Sequence, residues 1–330
     1  MITKRSLLAS AGMTLAVAVT PLSAMAEPLR IEMTGQHRGL VAGLNRYMIP
    51  TYHVNFITSQ QATAAASIMA RTRLAMVLKG PDQAVMRRLT NEAYADLRTQ
   101  MEAAGLQLVS PEETRALVQA AGYEDVPNNV EIAGIGPSIT IGSSVRRGWA
   151  TFGPDAAPAL TAFRSMSRPM GIRIPIGGAN RLARQLYDAQ AIAIAPSLTL
   201  DFVNMSASTG SGILGQARAS ANGRVAFQVL MDSPVQAYKP AGLAGTGTPG
   251  TFGPRRDVAS TTPFAEVVEG GAEVRGSATL SDIADDNYIT ISRARGDAVV
   301  VDLPVWEGLV RDGYRAYNAA IVAAIVSQRR

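Results

Sequence analysis

The residues able to do chemistry are few. Two histidines, His37 and His53, lie 16 positions apart with no acidic pair beside either. Neither has a metal-binding spacing such as two histidines one helical turn apart, so both are expected to be surface or strand histidines. The densest acidic cluster is Asp282, Asp285 and Asp286 in the run Ser281 to Asn287. Three carboxylates offer the oxygen ligands that calcium takes, but the spacing is not that of the twelve-residue calcium loop and no glutamate closes it. A solvated turn before a strand is the competing reading. The run Gly134-Ile135-Gly136-Pro137-Ser138 has neither the dinucleotide fingerprint nor the lysine of a phosphate loop, and Pro137 lacks an amide that a phosphate would use. A turn between strands accounts for it. Ser138 and Ser211 have no nucleophile-elbow sequence around them, and the Gly- and Ser-rich run from Ser206 to Gly215 suits a hairpin tip.

Absences narrow the chemistry further. The 330 residues contain no cysteine, which excludes disulfides, thiolate nucleophiles, cysteine-ligated metals and a lipid-modified N-terminal cysteine. No catalytic residue, metal ligand or cofactor is therefore assigned. The formal charge is +5; removing Lys4 and Arg5 with the leader leaves 29 basic against 26 acidic residues, a net +3. The basic pairs Arg87-Arg88, Arg146-Arg147, Arg255-Arg256 and Arg329-Arg330 are scattered among acids, so no nucleic-acid stripe is expected.

Residues 1 to 26 carry the three parts of a cleavable export signal. Lys4-Arg5 is followed by an apolar stretch from Leu7 to Val19, then by Pro21 and Ala24-Met25-Ala26. Cleavage is expected before Glu27, by either the general secretory or the twin-arginine route. The apolar run is shorter than the roughly 20 residues that span a bilayer, so the mature chain is expected to have no membrane span.

Residues 27–330 are expected to form a single exported α/β domain. Short strands are predicted over Tyr52 to Thr58 and Thr72 to Leu78. Lys79-Gly80-Pro81 ends the second, and Asp82 caps a helix with apolar positions Val85, Leu89, Ala93, Leu97 and Met101. Gly105 stops that helix, Leu106 to Val109 makes a short strand, and Ser110-Pro111-Glu112-Glu113 opens a second helix. In that box Glu113 is expected to reach back to Ser110. Strands near 129–141 and helices over 155–165 and 179–188 are predicted for the middle.

From Ile192 the pattern turns to period two, with Ile192, Ile194, Leu198, Leu200 and Phe202 sharing one face and Ala193, Ala195, Ser197, Thr199 and Asp201 the other. Val225, Phe227, Val229 and Met231 repeat it as an antiparallel partner would. The prolines and glycines of 232–262 predict a long surface loop. Strands near 272–280 and 288–302 then lead to a last helix bearing Trp306, Leu309, Val310, Tyr314, Tyr317, Ile321 and Ile325 on one face. The fold class is α/β (α+β): a mixed sheet with a long antiparallel hairpin, packed by amphipathic helices.

This order resembles the periplasmic domain of the curli-secretion lipoprotein family and its relatives, the penicillin-binding-protein activator lipoproteins and the N-terminal domain of the Tol-system translocation protein. The similar segments are Ala93-Tyr94-Ala95-Asp96-Leu97 through Gly105 to Ser110, and Ala191-Ile192-Ala193-Ile194-Ala195 leading to Leu198. Those domains are interaction and assembly modules, so the resemblance transfers no catalytic residue. It implies a periplasmic or cell-envelope protein that binds an envelope protein without catalysis. Lipid anchoring is not carried over, because the cysteine is missing. The alternative from the residues is an exported hydrolase or carbohydrate-handling enzyme that uses carboxylates alone.

Overall fold

The computed structural model describes residues 29–35, 41, 43–66, 71–122, 142–157, 176–211, 217–241, 246–274 and 294–328. The leader, His37, the Gly134 to Ser138 turn, the strands expected near 129–141 and the Asp282, Asp285, Asp286 cluster lie outside them. Strands β1 (Met33–Gly35), β2 (Arg46–Met48), β3 (His53–Ala65) and β4 (Arg71–Lys79) precede helix α1 (Gln83–Ala103), β5 (Gln107–Leu108) and α2 (Pro111–Ala120). Next come β6 (Gly142–Phe152), α3 (Ile176–Asp188), β7 (Ala191–Ser211) and β8 (Ala217–Val229). The chain continues through β9 (Val235–Ala241), β10 (Thr246–Pro254), β11 (Val258–Ala259), β12 (Ala265–Val274) and β13 (Ala294–Val301) to α4 (Leu303–Ser327).

The helix signals act as expected. Asp82 accepts from the Val85 amide at 2.8 Å, and Ser110 accepts from the Glu113 amide at 3.1 Å. Gly105 and Gly122, with φ of 73° and 75°, end the two helices in the left-handed region that glycine enters most easily. The reciprocal half of the Ser110 box is different: Glu113 Oε2 takes Arg46 at 2.6 Å, fixing α2 to β2. A guanidinium is a stronger partner for a carboxylate than a neutral amide.

Among the described residues the strands form one 13-stranded mixed sheet, with the path β1-β10-β9-β7-β3-β4-β13-β12. Its axis is β7. The first part of β7 runs between parallel β2 and antiparallel β9; Ser197 to Leu200 then pair with parallel β3, and Leu200 to Ser211 with antiparallel β8. β3 keeps β6 along its whole length but exchanges β7 for β4 at its middle. The sheet therefore forks. At that point the β3–β6 register shifts between Ile57 and Ser59, and the β7–β8 register shifts between Asp201 and Val203. Bulges supply the bend that lets two paired strands diverge. Beyond the fork β8 crosses β4 so closely that a Cβ on Gly223 would come within 2.9 Å of Met76 Sδ.

Helices cover both faces around β7. α1 and α4 bury Leu89, Ala93, Leu97, Met101, Trp306, Val310, Tyr317 and Ile321 against one face in the main core. A smaller core on the other face joins Val118 of α2 and Leu182, Ala183 and Leu186 of α3 to Ala191, Ala193 and Ala195. All of 191–203 is buried, so both faces of the alternation are covered. The alternation there marks a large-residue face and a small-residue face, which is what two-sided burial under close-lying helices requires.

Two further expectations change. Residues 232–262 are not one long loop: β9 pairs with β10 from Val235 to Ala241, β1 adds to β10, and Val258-Ala259 joins β8. Buried Val235, Ala237, Tyr238 and Phe252 anchor this pair. Its prolines are tolerated near a sheet margin, where an absent amide breaks few ladder bonds. β12 begins at Ala265, earlier than expected, and residues 155–157 form a turn; 158–165 of the expected helix and 275–280 and 288–293 of the expected strands lie outside the described residues.

Candidate functional site

His53 opens β3, opposite Ser197 of β7, and is 1 % exposed; its Nε2 lies 3.1 Å from Thr51 Oγ1. It is a buried strand histidine, one of the two placements expected for it.

The structure draws together a set of residues that the sequence did not single out. A polar seam runs through the strands toward the fork. Thr151 donates to Asn55 Oδ1 at 2.6 Å, and Asn55 Nδ2 donates to Ser197 at 3.0 Å and to Thr199 at 3.2 Å. Thr199 in turn donates to the Asp232 carbonyl at 2.8 Å. At the fork the seam ends on Asp201, whose side chain is 1 % exposed.

The Asp201 carboxylate is held from three directions. The amides of Phe202 and Val203, on its own strand, donate to Oδ1 at 2.8 and 3.3 Å. Gln60 Nε2 of β3 donates to Oδ1 and Oδ2 at 2.6 and 2.5 Å, and also to the Val203 carbonyl at 2.9 Å. Arg147 of β6 places Nε 3.4 Å from Oδ2. A small cavity of about 10 Å³ beside it is lined by Phe56, Leu200, Phe202, Phe227 and Trp306 among others. Burial in this apolar setting pushes Asp201 up to about 6, against the opposing pull of Arg147, Gln60 and the two amides. Asp232, also raised to about 6 by burial, feels the same Arg147, and Asp257 raises it further. One guanidinium, on a side chain 33 % exposed, thus acts on two carboxylates. Gln60 Oε1 is buried and has no partner among the described residues.

Chemically this group can take up and release a proton near pH 6. As built it cannot meet a bulky substrate, because Asp201 is sealed. Among the described residues no group of three or more metal-ligating side chains is gathered.

Asp201 is the sole charged residue of β7, which was the available signal in the sequence. Period-two reasoning placed it opposite the Ile192 to Phe202 face, among small and polar residues. Its partners come from positions 60 and 147, and no local pattern links them. Comparison with family models, with curated proteins and with solved structures finds no match.

Proposed function

We propose that the mature chain works outside the cytoplasm as a binding or assembly module of the cell envelope, and that it holds an extended segment of a protein partner along β12. The carrying observation is the character of that strand. Val267 and Val268 are 45 % and 48 % exposed, and Val300 beside them on β13 is 42 % exposed. Large apolar side chains gathered at one sheet margin are uncommon without a use, and a strand margin offers ladder groups that an added strand can pair with.

Glu266 and Glu269 flank the valines and are exposed, so the segment favoured here alternates apolar and basic residues. The export signal read in residues 1 to 26, and the resemblance to envelope interaction domains, support the compartment. No helix among the described residues is long and apolar enough to cross a membrane.

The test is site-specific photocrosslinking in intact cells, with the reactive residue at Val268 and, as a control, at exposed Arg87 of α1. A discrete adduct at position 268 that is absent at 87, and lost together with function in a stably accumulating V267K/V268K variant, is the expected outcome. Equal labelling at both positions, or a double variant that behaves like the intact gene, overturns the reading.

A further inference from the structure

Charge is segregated along this chain. The stretches 59–78, 142–148 and 203–226 hold none of its 26 acidic residues and no Phe, Tyr or Trp, yet they carry Arg71, Arg73, Arg146, Arg147, Arg218 and Arg224. Far apart in sequence, they are gathered beyond the fork into one arm, because β4 and β6 both pair with β3 while β8 pairs with β7. We propose that this arm binds a flexible, carboxylate-bearing polysaccharide: the outer face of the β7–β8 hairpin supplies hydrogen bonds to its hydroxyls, and arginines on both sides of the arm supply its countercharges. The inference is independent of what β12 binds.

The arm is two layers thick. Gly223 of β8 packs against Leu74 and Met76 of β4. Side chains alternate along a strand, so Arg73 and Arg224, each one position from that contact, lie on opposite outer faces. Both are exposed. On the hairpin's outer face the register sets Asn204 beside Arg224, Ser206 beside Asn222, Ser208 beside Ser220 and Gly210 beside Arg218. The three serines and two asparagines of this ladder are exposed, and the Ser208 and Ser220 hydroxyls lie 2.6 Å apart. Six residues of strand, about 20 Å, separate positions 218 and 224.

Acids at the borders of the arm are already engaged. Asp201, at its root, is sealed and faces Arg147. On the β12–β13 hairpin beside β4, Asp297 accepts the Gly270 amide at 3.0 Å, and the register sets Arg295 opposite Glu273.

The same features choose the class of ligand. Duplex DNA carries a charge roughly every 1.7 Å of its axis and calls for a dense cationic stripe, whereas these arginines are separated by uncharged hydrogen-bonding side chains. Single-stranded nucleic acid is held on aromatic platforms, and a bilayer draws aromatic side chains to its interface; the arm has no aromatic residue. A bilayer is also a plane and meets one face, while Arg73 and Arg224 point to opposite sides. A polysaccharide with carboxylates on its rings matches each feature. Its hydroxyls bond serine and asparagine between the charges, its carboxylates accept the arginine forks, and its flexibility lets one chain reach both faces.

The experiment measures binding of the mature chain to polygalacturonate by titration calorimetry at low salt, with neutral dextran, polyglutamate, duplex DNA and phosphatidylglycerol vesicles as comparisons. Polygalacturonate should bind more tightly than every comparison, and its binding should weaken as salt is added. R73E/R224E should bind about tenfold more weakly, whereas R87E on α1 should bind as the wild type does. S206A/N222A should bind about threefold more weakly with an unchanged salt dependence, which separates hydroxyl recognition from charge. All of these positions are exposed, and matching thermal unfolding of the variants confirms that folding is not what is read. V267K/V268K should bind polygalacturonate normally, so this result and the one at β12 are decided separately. A wild type that does not bind polygalacturonate, or that binds polyglutamate, DNA or the vesicles as tightly, overturns the proposal. So does undiminished binding by R73E/R224E or by S206A/N222A, or an equal loss in R87E.

Discussion

Two clusters of charge hold this molecule together, and they are built on opposite principles. Between α1 and α4, Arg88 meets Glu92 at 2.8 Å and Glu307 at 2.6 Å, while Arg311 meets Glu92 at 2.9 Å and Glu307 at 3.0 Å. Two cations and two anions close a ring at the edge of the helix pair, each with two partners and partial access to water. At the fork, Asp201 is sealed inside the sheet and shares the Arg147 cation with Asp232. The ring is electrostatically saturated. The fork is not: Gln60 Oε1 and Arg147 Nε are buried there without a hydrogen-bond partner among the described residues.

The two clusters respond to acid with opposite signs. Glu92 feels burial as a raising influence, but Arg311 and Arg88 prevail and hold it below its ordinary value. Its contribution is present above the unfolded value and is lost as pH falls through the folded one. Asp201 is raised, so the folded state binds its proton more tightly than the unfolded chain does. The stability linked to that proton is complete below the unfolded value of 3.8 and is lost as pH rises through about 6.

The largest expected effect tests the weaker cluster. Arg147→Met strips the buried carboxylate of its cation and should lower stability by about 3 kcal/mol at pH 7.5, measured by urea unfolding. The loss should shrink in the R147M/D201N double variant. A double variant no better than the single one would show that Arg147 acts through packing rather than charge.

The pH contrast comes next. Between pH 4 and 6 the wild-type chain should lose up to about 3 kcal/mol through Asp201, since two pKa units correspond to roughly that amount. D201N should flatten this interval, whereas E92Q should leave it and instead flatten the acid limb below the ordinary glutamate range. Thermal unfolding across pH reads both. If the two variants alter the same interval, the clusters do not differ as described.

The smallest effect belongs to the ring. Arg311→Met should cost about 1 kcal/mol, because partly exposed pairs are screened by water even when they are well formed. The cost should decline with added salt, whereas the penalty of R147M should persist, because the buried carboxylate is shielded from mobile ions.

Much of the outer architecture could be read from the chain. Asp82, Ser110, Gly105 and Gly122 cap helices through contacts within four residues, so their signals do not depend on the rest of the fold. The apolar stripe from Trp306 to Ile325 proves to be buried as a unit, and β7 and β8 form the expected antiparallel hairpin from Leu200 onward, although Met231 of the expected pattern lies beyond β8 and is exposed. The errors fall where a local pattern has two meanings. Prolines and glycines at 232–262 describe a loop equally well as a sheet margin, until buried Val235, Tyr238 and Phe252 decide for strands.

By itself the sequence determined where α1 and α2 begin and stop, which residues share apolar faces, that no cysteine chemistry exists, and that a mixed α/β arrangement follows. These are properties of neighbours along the chain, carried by 3.6- and two-residue periods and by capping residues. Only the tertiary structure decided that Asp201 is inside, that Gln60 and Arg147 hold it from strands 141 and 54 positions away in sequence, and that the sheet forks there. The physical reason is that alternation states which residues share a face but not what covers it. Gln60 of β3 and Arg147 of β6, brought to the fork by the sheet topology, enclose Asp201 and make it a buried acid, and contacts that distant leave no period in the sequence.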